Sequence, residues 1–313
     1  MFAATLEANP RVNPDGPQSE GRADVTDSTP RASLETKAAI DKAFTTYDIQ
    51  ACLYDTRRVK YLQDAIVKTV KPGDVVVDAG SGTGLLGLLA AKAGARRVYC
   101  LEFNADFVPV IEENARRNGL ADQIIAIHAD ATSCALPEAV DVVISEVISA
   151  GFFYEPQLQI TNNLRRFLKP GGAMIPMGMQ NYVELISAQE DIYGLKLNFD
   201  TRFTELEEDR PLTDSRQYLD NRFEDWTDPA IRGRARLKAS TAGRANAVKI
   251  AYRIDFAEGI SGDKPTDFLL NPQVVFLEKP IDLQPGDQFD ICLDYLASNS
   301  PLEADITITP VLS

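Results

Sequence analysis

The spacing of apolar residues changes character along this 313-residue chain. Across Asp55 to Val70 the apolar positions Val59, Leu62, Ala65, Ile66 and Val70 recur every three or four residues, the period of a helix with one buried face. That run stops at Lys71-Pro72-Gly73, and a similar spacing predicts an earlier helix over Ser33 to Tyr47. Short apolar blocks then alternate with helical runs. VVVDAG, RRVYCLE, QIIAIHA and VDVVISE read as strands, LLGLLAAKAGA, Asn104 to Asn118 and Glu155 to Leu168 as helices, and LKPGGAMIP turns into a further strand. Such alternation predicts a doubly wound, mostly parallel α/β sheet covered on both faces. Beyond Met179 the chain is β-rich, with QNYVELISA, RARLKAS, AVKIAYRIDF, PQVVFLE, QFDICLDYLA and ADITITPVL separated by turns such as Ser261-Gly262-Asp263 and Pro285-Gly286. These predict an antiparallel β-barrel or sandwich.

The expected organisation is therefore a tail over 1–33, helices over 34–72, a Rossmann-like domain over 73–178 and a β-barrel domain over 179–313. The tail is rich in Pro, Asp, Ser, Gly and Asn and too poor in large apolar groups to offset chain entropy. Within the second domain, the charged stretch 194–230 is expected to be a partly helical insertion.

Composition narrows the chemistry. A hydrophobic content of 44% suffices for real cores, and no apolar run approaches the length of a membrane helix. The N-terminus lacks the basic start and apolar core of a signal peptide, so a cytoplasmic protein without membrane contact is expected. The cysteines Cys52, Cys100, Cys134 and Cys292 form no CxxC pair and His128 is the only histidine, so no metal site of ordinary spacing can be written. A net charge of −14 argues against nucleic acid as a partner and favours a basic one.

Two stretches carry candidate chemistry. In VVVDAGSGTGLLGLLAAKAGA, Asp78 ends a strand, Gly80, Gly82 and Gly84 form the turn, and a helix follows directly. Glycine there lets backbone approach a ligand closely and adopt positive φ. A second acid, Glu102, ends the next strand, where a carboxylate can accept two hydrogen bonds from a ribose diol; Asp130 and Ala131 follow the third strand, where an adenine edge would be read. The other stretch is SEVISAGFFYE, residues 145–155, which places Glu146 and Glu155 nine positions apart around Val147, Ile148, Phe152, Phe153 and Tyr154. Carboxylates among apolar groups require a cation to meet them.

The glycine stretch resembles the class I S-adenosylmethionine-dependent methyltransferases, and that resemblance implies S-adenosylmethionine as cofactor. Asp78, Gly80, Gly82 and Gly84 would line its methionine end and Glu102 its ribose. ISEVISAGFFYEPQL resembles the double-glutamate loop of the protein arginine methyltransferases, and the likeness extends through LRRFLKPGGAMIP to PQVVFLEKPIDLQPGD, covering about residues 50–310. It implies that Glu146 and Glu155 close on a substrate guanidinium, whose paired N–H donors suit two bidentate carboxylates. Either glutamate could accept the departing proton. DTRRVKYLQDAI resembles the helix that lays an arginine on the cofactor carboxylate; alignment on Tyr61 selects Arg57, with Arg58 the competitor, because adjacent helix residues face different ways. Tyr47 matches an aromatic of the same family or packs in the core.

The likeness fails in two places. Where the family carries a Thr-His-Trp loop, whose histidine pairs with an acid near the site, this chain has Leu269, Leu270 and Asn271; the Trp-Met-Gly after the first glutamate is replaced by Val147, Ile148 and Ser149. These departures bear on the substrate. Free L-arginine or a small guanidino metabolite is favoured, as in bacterial natural-product pathways, over an arginine in a peptide or protein. A lysine or amine methyltransferase and a non-catalytic cofactor-binding scaffold are the further readings, and the resemblance suggests a homodimer.

Overall fold

The computed structural model describes residues 46–197 and 199–311. The tail and most of the helix expected over Ser33 to Tyr47 lie outside them. The first described helix, α1 (Thr46–Tyr54), leads through Asp55 into α2 (Thr56–Thr69). Asp55 caps α2 by accepting the Arg58 N–H at 2.9 Å, satisfying one of the amides a helix start leaves unpaired. Leu62, Ala65 and Ile66 of α2 are buried, at the period read from the sequence. Tyr61 on the same helix stacks on Phe256 with centroids 5.0 Å apart, tying α2 to the antiparallel half of the molecule.

The α/β half follows as β1 (Val75–Ala79), α3 (Leu85–Lys92), β2 (Arg97–Glu102), α4 (Val108–Arg117), β3 (Ile124–His128), β4 (Val140–Ser145), α5 (Gln157–Leu164) and β5 (Leu168–Ile175). The strands run parallel in the order β3-β2-β1-β4-β5. All five residues of β1 are buried, because a central strand in a parallel sheet is covered on both faces. The chain winds in opposite directions from β1 and β4, so a crevice opens at their carboxyl ends, where open α/β sheets bind ligands. Asp78, Glu102 and Glu146 all stand at or just beyond strand ends on that side.

The remaining elements are β6 (Gly178–Ser187), the two-residue strands β7 (Asp191–Ile192), β8 (Leu195–Lys196), β9 (Thr201–Arg202) and β10 (Arg210–Pro211), then β11 (Arg216–Arg222), β12 (Ala230–Lys238), β13 (Gly243–Ala257), β14 (Ile260–Gly262), β15 (Gln273–Leu283), β16 (Gln288–Leu296) and β17 (Asp305–Pro310). They form antiparallel sheets in which β13 lies between β6 and β15, and β16 between β12 and β17. The helical content expected within 194–230 is absent among the described residues. Arg216–Arg222 is instead a strand paired along β6, with Tyr218 buried and its hydroxyl 2.9 Å from that of Tyr295. Its charged residues occupy the exposed side of a strand, and a seven-residue segment carries too few apolar positions to separate the two periods.

Candidate active site

The turn after β1 is shaped by its glycines. Gly80, Gly82 and Gly84 have φ of 73°, 54° and 82°, which residues with a Cβ rarely adopt. A Cβ at Gly80 would lie 2.9 Å from the Val147 side chain, so glycine turn and acid loop touch. The Gly80 and Ser81 amides both donate to the Leu101 carbonyl, at 3.0 and 3.1 Å, fixing the turn against β2. Glu102 is buried; its Oε2 accepts the Gly82 N–H at 2.7 Å and its Oε1 the Asn104 N–H at 2.8 Å. Each oxygen keeps a second lone pair for a ligand hydroxyl. Asp78 is 1% exposed, and its Oδ2 accepts the Gly87 N–H at 2.9 Å at the start of α3. Among the described residues its Oδ1 is buried without a partner, and burial pushes the carboxyl up to about 7. An orphaned acceptor beneath an open glycine turn fits a cationic, donor-bearing cofactor end.

Asp130 is exposed and accepts both the amide and the hydroxyl of Thr132, at 2.9 and 2.6 Å, as a turn former does. Ala131 beside it is buried, and its carbonyl accepts from Asn163 Nδ2 at 2.9 Å. The two candidate arginines are placed differently. Arg57 is exposed, whereas Arg58 turns inward, donates to the Cys52 carbonyl at 3.3 Å and pairs with Glu146. The cap decides this, because bonding of the Arg58 amide to Asp55 fixes which face of the first turn points into the crevice.

The acid loop is held from several sides. Gln157, fully buried at the head of α5, accepts the Val147 N–H at 3.2 Å and donates to the Ser145 carbonyl at 3.0 Å. Gly151, Phe152 and Tyr154 have φ of 65°, 59° and 64°, a cluster of left-handed residues that persists only where surroundings enforce it. Phe152 and Phe153 are the anchors, with Phe152 edge-on to Phe223 at 6.1 Å and Phe153 against Tyr295 at 4.6 Å. Their burial anchors the middle of the loop, and at its ends the charges of Glu146 and Arg58 act on Glu155. The Glu146 side chain is 5% exposed, and burial raises its carboxyl although Arg58 opposes this. Glu155 is pushed up to about 8 by burial and by the Glu146 charge, and among the described residues no side chain bonds its carboxylate.

On the barrel side, Thr266 and Phe268 join the Leu269–Leu270 stretch. Leu269 and Leu270 are buried, and Asp55 Oδ2 accepts from the Thr266 hydroxyl and, at 2.9 Å, from the Phe268 N–H. An acid near the site is thus gripped by this loop through a threonine and a backbone amide, where the resembling family uses a histidine. The Asp55 spacing three residues before Arg58 was a readable cap signal; nothing local marked Thr266 or Gln157.

Residues 76–172 match the model of a methyltransferase domain. A probable protein arginine N-methyltransferase 6 of Arabidopsis thaliana is 32% identical over 182 residues, covering 53% of this chain and 41% of that protein. An arginine N(omega)-methyltransferase of Streptomyces achromogenes subsp. streptozoticus is 29% identical over 281 residues, covering 78% of this chain and 75% of its own length. The chain is thus similar to arginine methyltransferases, and its residues 76–172 to a methyltransferase domain. S-adenosylmethionine is the cofactor that the methyltransferase domain indicates, and the glycine turn with Asp78 and Glu102 suits it. The Trypanosoma brucei PRMT1 enzyme–prozyme complex with AdoHcy shares the fold, with a TM-score of 0.71 and 21% identity over 83% of this chain and 92% of that one. The match spans about two fifths of the Arabidopsis arginine methyltransferase.

Proposed function

We propose that this chain is an S-adenosylmethionine-dependent arginine N-methyltransferase whose substrate is free L-arginine or a small guanidino metabolite. One observation carries the reading: two desolvated carboxylates face one site beside the glycine turn, and one already holds an arginine side chain. A guanidinium entering there meets Glu146 and Glu155 together, and its charge returns Glu155 to the ionised form. The paired carboxylates draw positive charge towards two nitrogens and leave the third richer in electrons. When bound, S-adenosylmethionine supplies an electrophilic methyl group. Asp78, Glu102, the glycine turn and Arg58 hold and orient it, with Gly80 bringing that turn against the acid loop. Positioning of this kind accounts for about 7 to 11 kcal/mol of a barrier in favourable cases.

The preference for a small substrate is supported by the rebuilt loop at Leu269 and Leu270 and by the extent of the Streptomyces relative's match. An arginine in a peptide is the second reading. Lysine, a point charge, has no use for two bidentate acids. In this account residues 73–178 bind the cofactor and 179–313 complete the substrate wall. The enzyme is cytoplasmic and a homodimer, joined through the exposed apolar residues Tyr193, Leu195 and Phe203. Incubation with methyl-labelled S-adenosylmethionine and L-arginine, an arginine-rich peptide or a lysine-rich peptide tests it. Label in L-arginine is expected; label in the arginine peptide alone supports the second reading, and label in neither contradicts the proposal.

A further inference from the structure

Two adjacent strands of the antiparallel half reach both walls of the site. Asn181 on β6 and Tyr252 on β13 are register partners, 0% and 5% exposed. Directly opposed residues of an antiparallel pair present side chains on the same face, about 5 Å apart. Asn181 Oδ1 accepts the N–H of Gly151, in the acid loop, at 2.9 Å. Tyr252 Oη accepts the N–H of Leu270, in the loop that grips Asp55, at 2.7 Å. Both amide donors belong to residues in left-handed backbone, with φ of 65° and 66°. Each would be a buried, unpaired N–H without its partner, since Gly151 and Leu270 are both buried.

We infer that Asn181 and Tyr252 are a positioning pair that fixes the separation of the acid loop from the Leu269–Leu270 loop, and with it the room available to a guanidino substrate. Neither is a catalytic residue. Asn181 acts through Gly151 on the loop ending at Glu155, and Tyr252 acts through Leu270 on the segment that anchors Asp55 and, through its cap, Arg58. The strand ladder spaces the two acceptors, so one rigid element sets both walls. Among the described residues Asn181 Nδ2 is buried without a partner, which marks the residue as kept for its acceptor oxygen at a loss of polar satisfaction. The substrate half of this inference rests on the proposed function; the positioning half does not.

The test uses the full chain with Asn181→Leu, Asn181→Asp and Tyr252→Phe. Hydrogen exchange in the ligand-free protein is expected to rise about tenfold or more over 149–155 in Asn181→Leu and over 266–271 in Tyr252→Phe, with 80–87 unchanged. With L-arginine as substrate, kcat/KM should fall about tenfold or more in both, while S-adenosylmethionine affinity stays within about twofold in Asn181→Leu, whose contact leads only to the acid loop. Asn181→Asp, which keeps an acceptor oxygen, should recover most of the loss. Unchanged exchange in both loops overturns the inference. So does loss of cofactor binding in Asn181→Leu, which would make the pair a general structural element. If the wild-type protein methylates no arginine, the proposed function fails and the exchange result still decides the positioning role.

Discussion

Replacing Glu155 with glutamine should make the ligand-free protein more stable and nearly inactive. The carboxyl is held at about 8 against an ordinary 4.5, chiefly by burial. Between those values the unfolded chain has released the proton while the folded chain keeps it, so folding stability falls as pH rises, by about 1.4 kcal/mol per pH unit for a single group. At pH 7 the accumulated loss is about 3 kcal/mol, and a neutral amide of the same shape removes it. For a chain of this size that is on the order of 5 °C in melting temperature. Asp78, raised to about 7 from 3.8, adds a slope of the same sign, but it is present in both proteins and cancels in their difference. Thermal unfolding of wild type and Glu155→Gln from pH 5 to 9 reads this directly: the curves should meet near pH 5 and separate up to about pH 8. Methyl transfer should drop about 10²-fold or more, as when a transition-state electrostatic contact is lost. A variant no more stable at pH 7, or one with the wild-type slope, refutes the reasoning.

Glu146→Gln should behave oppositely, losing about 3–5 kcal/mol in denaturant unfolding, because it strands the Arg58 guanidinium without its counter-charge. Arg58→Met should weaken S-adenosylhomocysteine binding at least about tenfold in calorimetry, while Arg57→Ala, at an exposed position, stays within about 0.5 kcal/mol in stability and leaves cofactor affinity unaltered. Gly80→Ala places a Cβ 2.9 Å from Val147 at a φ of 73°, and should cost about 1–2 kcal/mol in unfolding and reduce cofactor affinity by titration. Thr266→Val removes a hydroxyl donor from buried Asp55 and should cost about 1 kcal/mol in unfolding.

What could be read from the sequence follows from how local each determinant is. The alternation of VVVDAG, RRVYCLE and VDVVISE with helical runs specifies a doubly wound sheet because each element carries its own period. Gly80, Gly82 and Gly84 announce a turn because the positive φ they adopt is a single-residue property. The choice between Arg57 and Arg58 was not settled by an alignment on Tyr61. Which of the two side chains turns inward follows from Asp55, whose cap orients the first turn of α2 and whose own position is fixed by Thr266, 211 residues away. The pairing of Arg216–Arg222 with β6 is a tertiary contact that no local spacing announces. Asn181 and Tyr252 become neighbours only once β6 and β13 are in register.

The clamp itself is tested most directly by titrating L-arginine into the S-adenosylhomocysteine-loaded protein near pH 7, in two buffers of different ionisation enthalpy. A guanidinium seated between Glu146 and Glu155 must convert the protonated Glu155 carboxyl to the anion. The account predicts release of about one proton per arginine bound, and loss of both that release and most of the affinity in Glu155→Gln. Arginine binding without proton release, or equally tight binding to the variant, would contradict it.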